Sequence, residues 1–173
     1  MGRRRRAGGR LGRLGEHASK PRRSWVPARG EPAKTQQVDG TWHKGNPPLM
    51  GPMTLATWLG SVIFDGARAF EGTVPDLDLH CRRAVASAAK MNMNAPVSAE
   101  ELVEICRDGV ARFPAGSALY IKPLMWAEDG WIYPDPDSTR FAVNIFEAPL
   151  PAPSGSSCCV ARFRRPAPDQ APT

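Results

Sequence analysis

From Leu77 to Phe113 the apolar residues fall at helical spacing, and on both sides of that stretch they come in runs of strand length. Leu77, Cys81, Ala84, Val85, Ala88 and Met91 recur three and four apart, which predicts an amphipathic helix over 77–93 with Asp76 near its cap. A second helix follows Ser98. Ser98 and Glu101 have the spacing of a capping box, and Leu102, Ile105, Cys106, Gly109, Val110 and Phe113 form a buried stripe that Pro114 ends. Upstream, 59–64 (LGSVIF) is an apolar run of strand length, Asp65-Gly66 is a turn signal, and 67–70 reads as the returning strand of a hairpin. Downstream, strands over 117–126 and 139–146 flank the Asp- and Pro-rich loop 133–138. Strands, two helices and further strands predict an α+β domain, with the helices on one face of a mostly antiparallel sheet.

Outside this block the composition changes. Residues 1–36 hold 11 Lys and Arg against Glu16 and Glu31, a balance of +9, while the rest holds 12 bases and 15 acids. The net +6 of the chain therefore belongs to its N-terminal tail, and the folded part is mildly acidic, which argues against a nucleic-acid-binding domain. Arg3 to Arg6 in a row, with Gly and Pro and few apolar residues, predicts disorder over 1–36. A basic arm for nucleic acid or membrane surface, an Arg-rich targeting peptide and a translation start placed too early are the three readings of this tail. The last is preferred, because nothing in the tail is patterned like an interaction helix.

Order is expected from Gln37, with a short strand, a turn at Asp39-Gly40 and a loop at Gly45 to Pro48. The domain then runs over 37–148. Residues 149–173 (beginning PLPAPSGSS) read as a linker and the start of a second domain, with one more strand over 158–163. No apolar run reaches the roughly 20 residues of a membrane span, so a soluble protein is expected. Cys81 and Cys106 fall at apolar helix positions, and adjacent Cys158 and Cys159 match neither a zinc knuckle nor a C-x-x-C pair. Reduced thiols in a cytoplasmic protein, with no metal site, are the expectation.

Chemistry is sought where polar residues converge. His80, Arg83 and Ser87 share one face of the first helix, beside its apolar stripe. An arginine held there could present its guanidinium fork to a phosphate or carboxylate; spacing alone fits a surface arginine and a satisfied histidine better.

The wider pattern decides between them. GSVIFDGARAFEG, then DLHCRRAVASAAKM, then LYIKPLMW resemble in order the class IV, branched-chain aminotransferase-like family. That family shows a "VF-acid-G-x-R" hairpin, an "H-x-x-R-x-x-x-SA" helix and a "YIRP" strand. The resemblance implies the small N-terminal domain of a fold-type-IV enzyme, pyridoxal 5'-phosphate as cofactor, amino acid and 2-oxo acid substrates, and a homodimer. It implies that Arg83 binds the cofactor phosphate, that Phe64 lines the substrate side-chain pocket, and that Tyr120 and Lys122 face substrate. Arg68 and His80 take structural roles by the same resemblance. Lys122 stands where branched-chain members often carry arginine, and Leu59 where they often carry tyrosine, so amino-donor preference and pocket shape are open.

Transamination by this chemistry needs a lysine amine that forms a Schiff base with the cofactor, and an acid facing its ring nitrogen. Lys20, Lys34, Lys44, Lys90 and Lys122 are the lysines present, and none stands at the family's position. The final RRPAPDQAPT resembles the segment that leads into that lysine, which is expected within a few residues beyond Thr173. An N-terminal fragment of an aminotransferase, inactive alone, is the preferred reading. The alternatives are a lyase-like or D-amino acid aminotransferase-like member of the same fold, a non-catalytic interaction protein with a nucleic-acid-binding arm, and a product that does not fold stably by itself.

Overall fold

The computed structural model describes residues 34–38, 40–151, 153–155 and 157–164. Of the tail expected over 1–36, residues 1–33 lie outside them. Six strands form one antiparallel sheet: β1 (Lys34–Val38), β2 (Thr41–Lys44), β3 (Val62–Phe64), β4 (Ala67–Ala69), β5 (Leu119–Ala127) and β6 (Thr139–Glu147). Their order is β2-β1-β6-β5-β3, with β4 also on β5. Three helices accompany them: α1 (Leu55–Leu59), α2 (Leu77–Lys90) and α3 (Ala99–Val110). The α+β expectation is borne out, with the two longer helices, α2 and α3, on one sheet face.

The two longer helices form where the periodicity placed them. In α3 the capping box is complete, with Ser98 Oγ accepting from Glu101 N and Glu101 Oε2 accepting from Ser98 N at 2.8 Å. The first helix ends at Lys90 rather than at residue 93, because the chain turns through Asn92 at φ 56°. Met93 still reaches the core.

Alternation along the central strands assigns the two sheet faces. Leu119, Ile121 and Met125 of β5, with Val143 and Ile145 of β6, face the helices and meet Cys81, Ala84, Leu102 and Cys106. Gly109 is required here: a Cβ would stand 2.3 Å from Ile145 Cδ1 and 2.4 Å from the Trp42 ring, so α3 could not lie against the sheet. On the opposite face, one end is closed by a second cluster of Val38, Ala56, Trp126 and Ala142. The other end, around Tyr120 and Lys122, is only partly covered.

Four expectations are corrected. The strand placed over 59–64 is shorter: Leu59 is the last residue of the five-residue helix α1, which Gly60 stops in the left-handed conformation (φ 70°), and β3 starts only at Val62. One turn of helix is too short to show a period. It is held instead by tertiary bonds, Leu55 N to Glu128 O at 2.9 Å and Thr54 Oγ1 to Glu128 Oε1 at 2.8 Å. Order begins by Lys34, not Gln37. The polar run Thr35-Gln36-Gln37 carries no apolar alternation, yet its backbone is paired on both sides, by β2 and β6. Residues 158–163 form no strand; they are exposed, and no sheet edge pairs with them.

The fourth correction bears on the site. Residues 62–64 and 67–69 do not form a hairpin. Both pair with β5, and in one continuous register: Phe64 opposite Leu124, Ala67 opposite Ile121. They are a single edge strand interrupted at Asp65-Gly66. Asp65 N donates to Pro123 O at 3.1 Å, and proline has no N–H to return the bond. The Asp-Gly pair marks this break, and Gly66 is not among the glycines with positive φ.

Candidate active site at the interrupted edge strand

Strand alternation through the break puts the Phe64 and Asp65 side chains on opposite sides, with the Gly66 position on the side of Phe64. Phe64 and Gly66 belong to the open face; Asp65 belongs to the helix side, where α2 passes. The Asp65 side chain is 7% exposed and accepts hydrogen bonds at each oxygen. Arg83 grips it with two of its nitrogens, Nε to Oδ2 at 2.6 Å and Nη2 to Oδ1 at 2.8 Å. Gly66 N donates to Oδ1 at 2.7 Å, and His80 Nδ1 lies 2.8 Å from the same oxygen.

A carboxylate only accepts, so the His80 tautomer that fits carries its proton on Nδ1 and donates it to Asp65. Arg83 Nη2 is also 2.8 Å from Nδ1. With both nitrogens donating, that approach is two donors crowded on one oxygen rather than a bond between them.

Burial pushes the Asp65 carboxyl upward, but the hydrogen bonds from Arg83, His80 and Gly66 outweigh it and hold the group below the ordinary 3.8. Arg83 is raised by the bonds to Asp65 and by its charge. Both groups are therefore charged at neutral pH.

The Arg83 side chain remains 51% exposed. It opens, with Ser87 one turn along α2, onto a cleft whose other walls are Val62, Ile63, Phe64, Asp65 and Met91. Phe64 is 63% exposed and faces both ways: it lines this cleft, and its ring lies 5.4 Å from Lys122 Nζ on the open sheet face. Tyr120 stands two residues before Lys122 on that face, its ring 5.4 Å from Phe146. Arg68, opposite Tyr120, donates through Nη2 to Ala148 O.

The structure thus brings Arg83, Ser87 and Phe64 to one cleft, and Phe64, Tyr120 and Lys122 to one sheet face. Asp65 is the residue that the sequence reading missed as a functional group, having taken it for a turn signal. An acid directly after an apolar strand and ahead of a helix rich in His and Arg is the signal that could have found it. Among the described residues, no group of three or more His, Cys, Asp or Glu is placed to hold a metal ion, and no helix is long and apolar enough to cross a membrane.

The family model for amino-transferase class IV matches residues 62–173, more than half of the chain. The chain belongs to the class IV aminotransferase family. Named relatives agree: it is 30% identical over 113 residues to a probable branched-chain-amino-acid aminotransferase of Rickettsia typhi, and 28% identical to its counterpart in Rickettsia felis. These matches cover 64% of this chain and 39% of each relative, so the chain spans about two-fifths of their length.

Among solved structures, an aminotransferase from Brucella abortus, bound to the cofactor pyridoxal phosphate, superposes with a TM-score of 0.75 at 37% identity. That match covers 79% of this chain and 50% of the other. The branched-chain amino acid aminotransferase of Escherichia coli gives 0.65 at 25% identity, covering 81% of this chain and 50% of that one. The resemblance carried by the three ordered motifs is borne out, and so is the small antiparallel domain it implied, with a third, short helix added.

Proposed function

We propose that this chain forms one wall of the cofactor and substrate site of a branched-chain-type aminotransferase that uses pyridoxal 5'-phosphate. The observation that carries this reading is the half-exposed guanidinium of Arg83, fixed on one side by Asp65 and opening onto the cleft that Ser87 and Phe64 line. A guanidinium beside a hydroxyl is a donor set suited to a phosphate. When bound, the cofactor's ring supplies an electron sink for the substrate's α-carbon.

The chain's own residues would divide the remaining work. Arg83 and Ser87 hold the phosphate, and Phe64 packs against an apolar substrate side chain. Tyr120 and Lys122 meet the polar end of the amino acid or 2-oxo acid from the sheet face. Lys122 acts as a point charge on a carboxylate, where an arginine would grip it with a fork. None of the described lysines is assigned the cofactor's Schiff base in this reading; Lys122, the one on this face, lies over the Phe64 ring. A homodimer in the cytoplasm completes the reading. The exposed aromatic residues Trp58, Trp131 and Tyr133 support a further interface, and buried, unbridged Cys81 and Cys106 suit a reducing compartment.

Titration of the chain with pyridoxamine 5'-phosphate, which has no aldehyde to react with lysines, tests the central claim. Saturable binding that Arg83→Ala abolishes is expected. Equal binding by the two forms would remove Arg83 from the site.

A further inference from the structure

We propose that Asp65 is a positioning residue for this phosphate anchor: it clamps one edge of the Arg83 guanidinium and leaves the other edge for a phosphomonoester. The proposal rests on the reading of Arg83 given above, and goes beyond it by assigning a role to an acid at the wall of an anion site.

An acidic side chain beside a phosphate is at first sight misplaced, because its charge opposes the ligand. The geometry gives it a use. Asp65 sits where the edge strand is interrupted, and its carboxylate is nearly buried. Donors from three residues hold it: Gly66 N, His80 Nδ1, and Nε with Nη2 of Arg83. Arginine's five N–H groups lie in one plane, so an acid taking Nε and Nη2 fixes the orientation of that plane. Nη1 makes no hydrogen bond among the described residues and lies on the remaining edge. His80 in turn fixes the carboxylate, so the anchor's direction is set by the strand and the helix together. An unclamped arginine would have to lose its freedom on binding, and clamping it beforehand lowers that cost.

A pair serving only to tie β3 to α2 makes the opposite prediction for anion binding. Removing its acid would leave Arg83 with an unopposed charge, and phosphate would bind more tightly. A clamp predicts weaker binding on the same substitution, so the sign of the change separates the two.

The experiment titrates the chain with inorganic phosphate and with pyridoxamine 5'-phosphate, followed by 31P NMR, for the native form and for Asp65→Asn, Asp65→Glu and Arg83→Ala. Asp65→Asn is expected to weaken binding about tenfold, as loss of a group that orients a ligand commonly does, with partial recovery in Asp65→Glu. Unchanged or tighter binding in Asp65→Asn, alongside weaker binding in Arg83→Ala, overturns the clamp and leaves the anchor standing. No saturable binding by the native chain, or no effect of Arg83→Ala, removes the anchor and the clamp with it. Should Asp65→Asn fail to fold, the Arg83 Nε–H resonance of the native chain decides. Slow exchange that persists at saturating phosphate supports the clamp; exchange that becomes fast when phosphate binds overturns it.

Discussion

The Tyr120 hydroxyl fills the space that a Cβ on Gly66 would occupy, 2.1 Å from the ideal Cβ position, with Cζ at 2.8 Å. Gly66 is thus needed for a close approach between neighbouring strands. The Tyr120 ring is also packed beside Phe146 and cannot yield freely. Gly66→Ala should cost about 1–3 kcal/mol, the usual penalty of overpacking, read from urea denaturation. The Gly66→Ala/Tyr120→Ala double variant should cost less than the sum of its singles; strict additivity would remove the contact as the cause.

Acid stability follows from Asp65. Its carboxyl is held below the ordinary 3.8 in the fold. The stabilisation is therefore fully present above that value, and is lost as pH falls through the lower folded-state pKa. Stability of the native chain should decline across this acid window, and the decline should be shallower in Asp65→Asn. Parallel acid-denaturation curves for the two would contradict the assignment.

The thiols divide into two classes. Cys81 and Cys106 are buried between α2 and α3, while Cys158 and Cys159 are exposed. The neighbouring Cys81, and then burial, push the Cys106 thiol upward. A colourless thiol reagent followed by mass spectrometry should label Cys158 and Cys159 in the folded chain, and Cys81 and Cys106 only in denaturant. Rapid labelling of Cys106 without denaturant would mean that the two helices part readily.

Lys122 offers a change in ligand preference. Lys122→Arg restores a planar fork over the Phe64 ring, and should tighten binding of a dicarboxylate such as glutarate by about three- to tenfold. Binding of a monocarboxylate with an apolar tail should change less. Chemical-shift titration with both ligands checks this, and an equal gain for both would point to altered packing instead.

The capping box gives a control remote from the site. Ser98→Ala should lower stability by about 1 kcal/mol, seen as a lower Tm, without altering phosphate binding.

What could be read from the sequence divides along physical lines. The helices α2 and α3 were legible because each is long enough for an apolar stripe to repeat, and because Ser98 and Glu101 announce a start. The strands β5 and β6 were legible as apolar runs between breakers. The helix α1 was not, since it is a single turn held by Glu128, more than sixty residues away. Strand β1 was hidden by Gln36 and Gln37, whose stability in the sheet comes from backbone pairing on both sides. The interrupted strand was misread because Asp-Gly has the chemistry of a tight turn, while its partner Pro123 lies far along the chain. At the site, the motifs named Phe64, Arg83, Tyr120 and Lys122. The bonds that join Asp65 to α2 became visible only when strand and helix were brought together.

The division of the domain into a helix side and an open sheet face has a consequence for how such a site can change. The group proposed to face the phosphate, Arg83 with Ser87, is carried by a helix whose buried side is committed to the core. The group proposed to face substrate, Tyr120 with Lys122, is carried by alternate positions of a strand whose other positions do the packing. Phe64 belongs to both. On the proposed roles, substitutions on the sheet face can drift toward a new amino acid while the grip on the cofactor is inherited unchanged, and a lineage built on this domain can diversify its substrates without passing through a form that has lost its coenzyme.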